Sequence, residues 1–125
     1  MPEPDARKTY HNLLTVAEQA ARAGAAELVK WQGDFTIAEK GPADLVTDAD
    51  LASQHAIERL VRENFPEHQF LGEEASARHA IDSDNCCWVV DPLDGTTNYA
   101  HGYPFFAVSV AVVQRGQPLV GVVLD

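Results

Sequence analysis

Positive charge is scarce in this 125-residue chain: nine lysines and arginines stand against 19 aspartates and glutamates, a net charge of −10. That balance excludes a general nucleic-acid binder, because non-specific affinity for the backbone comes from cations that neutralise phosphates. Long apolar runs are lacking too. None reaches the ~20 residues a membrane span needs, and the start, MPEPDARKTYHN, has no charged-then-apolar layout of a secretory signal. The expectation is a soluble, cytoplasmic protein with neither membrane nor nucleic-acid partners. Cysteine is nearly absent: Cys86 and Cys87 are adjacent, offer no C-x-x-C spacing and lead into the apolar Trp88-Val89-Val90. A buried structural thiol pair is expected there rather than a zinc or redox site. Internal repeats, low-complexity tracts and interdomain linkers are also missing, so one domain, or part of one, is expected.

What is present alternates helical and extended patterns. Leu13, Ala17, Ala20, Gly24, Leu28 and Trp31 recur at gaps of three and four, predicting a helix over 5–31. Short extended pieces at 35–39 and 45–47, around the turn signal Lys40-Gly41-Pro42, predict a hairpin. A second helix is expected from Thr47, capped by its hydroxyl with Asp50 three residues on, with Ala52, Ala56, Ile57, Leu60 and Val61 as its apolar face and Pro66 closing it. HQFLGEE (68–74) reads as a short strand ending at Gly72, 75–85 as a loop, and 86–91 as a strand. Residues 105–113, almost wholly apolar, read as a strand covered on both faces, turned by Gln114-Arg115-Gly116-Gln117 into a last strand over 118–124. Such interleaving defines a layered α/β or α+β domain, whose last strand would leave an uncovered apolar edge.

Three acidic clusters fall at element ends: Asp48 and Asp50 in LVTDAD, Glu73 and Glu74 in LGEE, and Asp91 and Asp94 in WVVDPLDGTTNY. Asp-Pro and Asp-Gly are ordinary turn dipeptides, Asp50 can serve only as a helix cap, and Glu74 only as a solvated neighbour. Yet strand ends and helix starts meet in crevices. Five or six carboxylates in one crevice repel one another unless protonated or bridged by cations. Oxygen donors without nearby His or Cys favour Mg²⁺, or Mn²⁺ in its place, over zinc. Pro92 lacks an N–H and fixes its φ, so the chain can turn and expose the Leu93 carbonyl between the two aspartates. Gly95 permits close backbone approach to a ligand, its amide and that of Thr96 can donate to an anion at a helix start, and the Thr96 hydroxyl can orient a water.

These three segments, in this order and spacing, resemble the N-terminal motifs of the inositol monophosphatase family of Mg²⁺-dependent, lithium-sensitive phosphatases. The aspartate motif is highly specific, whereas GEE or TDAD alone is weak. The resemblance implies the α+β layered sandwich of that family, an αβαβα arrangement shared with fructose bisphosphatases, of which 1–125 would be the N-terminal α+β part. It implies two or three Mg²⁺ ions, with Glu73, Asp91 and the Leu93 carbonyl on the first and Asp91 and Asp94 on the second. Thr96, paired with Asp50 and assisted by Glu73, would be catalytic. Glu73, Leu93, Asp94, Gly95 and Thr96 would face the substrate, Gly95 and Thr96 contacting its phosphate. Lys40 stands where the family often has a lysine on a hairpin near the metals, although exposed hairpin charge is its simpler reading. His101 lies near the motif but reads as a loop residue.

The implied reaction is two-metal, in-line hydrolysis of a small phosphate monoester such as myo-inositol 1-phosphate, with ions about 4 Å apart. Related phosphatases of adenosine bisphosphates or histidinol phosphate often carry lysine where Thr97 stands. Family members run to twice this length, and their second half supplies a further metal-binding aspartate and most of the pocket for the alcohol. The alternative expectation is therefore an inactive half that needs a complementing chain. A homodimer is implied for the full-length form by resemblance alone.

Overall fold

A computed structural model describes residues 4–33, 41–72 and 84–125. Helix α1 spans Pro4–Gly33 and α2 Pro42–Asn64; strands β1 Gln69–Leu71 and β2 Cys87–Asp94 follow, then the short helix α3 Thr96–Ala100 and the hairpin β3 Ala107–Gln114 and β4 Gln117–Leu124. The sheet runs β1-β2-β3-β4, with β1 parallel to β2 and the remaining pairs antiparallel. Both long helices pack together on one sheet face, α1 over β3 and β4 and α2 over β2. This is the expected layered α+β arrangement.

The α1 stripe is as its spacing predicts: Leu13, Ala17, Ala20 and Leu28 are buried and Trp31 is half-buried. Helix α2 differs. It begins at Pro42, so 45–47 is helical rather than extended and Thr47 is not the cap. Gly41, at φ 106°, is the N-cap residue, Pro42 takes the first turn where its missing N–H costs nothing, and the Leu45 N–H donates to the Gly41 carbonyl at 3.1 Å. The sequence cue misled because Gly-Pro punctuates turns and helix starts alike. The buried row of α2 is Leu45, Ala49, Ser53, Ile57 and Val61, at strict four-residue intervals. Ala52, Ala56 and Leu60, expected on the apolar face, are only half-buried flanks. The first piece of the expected hairpin, 35–39, and Lys40 lie outside the described residues, as does most of the expected loop.

Strand β1 ends at Leu71, one residue before the expected Gly72. Strand β2 does not stop at Asp91 but runs on through Pro92 and Leu93 to Asp94. The hairpin turns on Arg115 and Gly116, both at positive φ, the geometry that matches strand twist in a two-residue connection. On β3 Val108, Val110 and Val112 are buried and Ala107, Ser109, Ala111 and Val113 half-buried, so among the described residues one face is fully covered where both were expected to be. Its other face, with Val89 beside it and Val123 at 72% exposure, is open among the described residues. An almost uniform run of Val and Ala hides which face is which.

One polar contact locks β1 to β2. The indole N–H of the buried Trp88 donates to Nδ1 of His68 at 3.0 Å, and the imidazole stacks on Phe65 at 4.6 Å between centroids. Nδ1 must therefore be unprotonated, and burial pushes the His68 pKa below its ordinary 6.5 against the opposing pull of Glu67. Because the folded value is lower than the unfolded one, this contribution to stability is complete above about pH 6.5 and is lost as pH falls through the folded value. Thermal melts from pH ~7.5 to ~5 should show a fall in Tm that is smaller in His68→Phe. An identical pH profile in the variant would contradict the assignment. Cys86 and Cys87 are free, and desolvation raises both thiol pKa values, although of the expected buried pair only Cys87 is buried and Cys86 is half-buried.

Candidate active site

The site grows from a fault in the sheet. Asp91 pairs with Ser109 and Asp94 with Ala107, so β2 advances three residues while β3 advances two. This bulge carries the Asp91-Pro92-Leu93-Asp94 segment out of ladder register and re-aims its side chains. Pro92 and Leu93 are buried, Asp91 is half-buried and Asp94 exposed. Asp91 Oδ1 accepts the Leu93 N–H at 3.3 Å, and the Pro92 carbonyl accepts the Ser53 hydroxyl of α2 at 2.8 Å.

Gly95 follows in a left-handed conformation, φ 88° and ψ 44°, as the N-cap of α3. A Cβ here would lie 2.9 Å from the Phe105 carbonyl, so both conformation and space select glycine. Thr96 opens α3 with its side chain exposed. The segment behind it is bolted down: Tyr99 is buried, its hydroxyl donates to the Leu28 carbonyl at 2.6 Å, and its ring meets Phe106 edge-on at 5.0 Å. Burial pushes the Tyr99 pKa up to about 12, so the phenol stays protonated and is a structural donor. Asn98 Nδ2 donates to the Phe105 carbonyl at 3.0 Å, closing the loop over 98–105.

Asp50 rides on α2, one turn before Ser53 and on the same side, and one of its carboxylate oxygens is buried. The structure thus brings the helix that bears Asp50 against the segment that bears Asp91, Leu93, Asp94, Gly95 and Thr96, since α2 packs on both β2 and α3. Glu73 and Glu74 lie outside the described residues. Among the described residues no three His, Cys, Asp or Glu side chains gather closely enough to hold a metal ion. The donor types present, two carboxylates and a carbonyl within four residues, are hard oxygens and fit Mg²⁺ chemically. They would hold it only with ligands from elsewhere. An open cavity of about 490 Å³ lies beside Asp94 and Gly95, walled by Phe105 and Phe106 and reaching Asp125. Ser53 is not singled out by the sequence alone. Ser53 had a signal, its place in the four-residue row of α2, which a hydroxyl masks.

A parallel-antiparallel sheet backed by two helices, with an acidic bulge opening onto a glycine-led turn, defines an α+β domain with an open cavity at a strand end. Residues 9–125 match the inositol monophosphatase family. The chain is 48% identical over 115 residues to the chloroplastic phosphatase IMPL1 of Arabidopsis thaliana, covering 91% of this chain and 31% of that protein. It is 38% identical to an inositol monophosphatase of Mesembryanthemum crystallinum, covering 90% and 43%. Inositol monophosphatase II of Staphylococcus aureus superposes with a TM-score of 0.79 at 35% identity, over 91% of this chain and 42% of that one. The chain belongs to the inositol monophosphatase family. It spans less than half the length of these relatives.

Proposed function

We propose that the chain contributes the metal and phosphate side of a Mg²⁺-dependent phosphomonoesterase acting on a small phosphate monoester such as myo-inositol 1-phosphate. The observation that supports this reading is the β2 bulge, which takes the Asp91 to Asp94 segment out of ladder register and leads directly into Gly95 and Thr96. Glu73, Asp91, the Leu93 carbonyl and Asp94 would hold two or three magnesium ions, Mn²⁺ being a chemical substitute; when bound, these supply Lewis-acid polarisation of the phosphoryl group and acidify water. The Gly95 and Thr96 amides face the phosphate. Thr96 Oγ1 orients the attacking water, and Asp50, assisted by Glu73, draws the proton away through that hydroxyl. Thr97 in place of lysine favours inositol phosphates over adenosine bisphosphates or histidinol phosphate.

A second reading is favoured by the donor set: among the described residues no three His, Cys, Asp or Glu side chains gather to hold a metal ion, so substrate would be turned over only with ligands from a complementing segment. Phosphate release from myo-inositol 1-phosphate with Mg²⁺ separates the two. Turnover by the chain alone refutes the second reading. Turnover that requires an added C-terminal segment of a relative supports it. No turnover in either mixture, with no Mg²⁺ uptake, overturns the phosphatase assignment. In the active mixture, Thr96→Ala should lower the rate by about 10²-fold, the lower end of the range for positioned proton transfer, with Mg²⁺ affinity retained. A large loss of metal affinity would show that Thr96 is a ligand instead.

A further inference from the structure

The geometry points to Ser53 as a positioning residue for the 91–95 segment, acting through the Pro92 carbonyl and held in place by the close passage of α1 at Gly24. This inference rests on the phosphatase reading for its consequence, though not for its geometry. Ser53 is the buried polar side chain of the core among the described residues, at 0% exposure. A helical serine ordinarily returns its hydroxyl to its own helix or to solvent. This one leaves α2 and donates to Pro92 at 2.8 Å.

The acceptor explains why. The bulge between Asp91 and Asp94 takes the intervening residues out of ladder register, and a buried carbonyl without a donor is costly. Pro92 itself has no N–H with which to adjust the pairing. The Ser53 hydroxyl satisfies that carbonyl and fixes the peptide that joins Pro92 to Leu93. The neighbouring Leu93 N–H then reaches Asp91 Oδ1, so the orientation of one proposed metal ligand depends on the plane of a peptide that α2 holds. On the opposite side, a Cβ at Gly24 would stand 2.7 Å from Ser53 Oγ and 2.8 Å from Ile57 Cδ1. Glycine at that point of α1 leaves room for the hydroxyl to aim at β2.

The test has a metal-free and a metal arm on the 125-residue chain. By amide hydrogen exchange without metal, Ser53→Ala should speed exchange of the Leu93 and Tyr99 amides about tenfold relative to wild type, while Val110 and Val122 change less than about twofold. By calorimetry, Ser53→Ala should weaken Mg²⁺ binding about tenfold, the low end for a group that orients a ligand. Val112→Ala, a core truncation toward the far end of β3, should lower Tm yet leave Mg²⁺ affinity unchanged. Equal acceleration across the whole sheet, no acceleration at Leu93 and Tyr99, or an equal loss of Mg²⁺ affinity in Val112→Ala would each overturn the role. If wild type takes up no Mg²⁺ even with the complementing segment added, the phosphatase reading fails, while the exchange arm still decides the role of Ser53. Should Ser53→Ala not fold, Gly24→Ala, which crowds the same hydroxyl from α1 without touching β2, gives the same readout, and unchanged Leu93 exchange in it overturns the proposal.

Discussion

Asp91→Asn is expected to lower Mg²⁺ affinity at least 100-fold and to abolish Mg²⁺-dependent turnover, with the fold intact. Residues that merely orient a ligand cost roughly 10–100-fold when lost, so a side chain that would touch both ions sets that as a lower bound. The substitution isolates charge from shape. Asparagine keeps an Oδ1 that can accept the Leu93 N–H, now 3.3 Å away, so the local bend survives. In the absence of metal the variant should melt at the wild-type temperature or above it, because removing one anion beside Asp94 relieves repulsion. Under saturating Mg²⁺ the order reverses: wild type gains about 2.7 kcal/mol at a hundredfold excess over its Kd, and Asp91→Asn gains nothing. Calorimetry and paired melts with and without Mg²⁺ read both effects. Wild-type affinity in the variant would remove Asp91 from the metal site.

Trp88→Ala should cost about 3–5 kcal/mol, the range for deleting a buried aromatic. A domain of this size has about 5–15 kcal/mol in total, so the variant would sit near or below the threshold for folding. Trp88 is fully buried, faces Phe70 of β1 and Val112 of β3 in register, and sits 5.8 Å from Phe65 between ring centroids. Its loss opens a cavity under both long helices' layer and also deprives His68 of its indole donor. Urea unfolding followed at the emission of Trp31, which the substitution leaves in place, measures the change. A loss under about 1 kcal/mol would mean that the site collapses around the gap far more readily than core sites usually do.

Particular residues show how far the sequence could be read. Leu13 to Leu28 on α1 announced their buried face because alanines and leucines at three- and four-residue gaps have one physical use. The short β1 before Gly72 and the Arg115-Gly116 turn were legible for the same reason, since positive φ and chain reversal restrict residue choice. The family was legible too, because the Asp91 to Tyr99 motif is long and chemically unusual. By contrast, the start of α2 was misplaced by several residues. Gly41-Pro42 is compatible with a turn or a helix start, and only the seating of Leu45 in the core decides between them.

The amino-acid order by itself determined the types of most described elements, though not of 45–47, together with the acidic clusters and the chemistry those oxygens favour, all of which depend on local pattern and donor identity. Tertiary structure alone decided that β2 continues through Pro92 into a bulge, that Val108, Val110 and Val112 form the buried face of β3 among the described residues, and that Ser53 hydrogen-bonds 39 residues away. Strand register, sheet burial and long-range hydrogen bonds arise from packing between distant segments, and no local pattern encodes which carbonyl a single buried hydroxyl will meet.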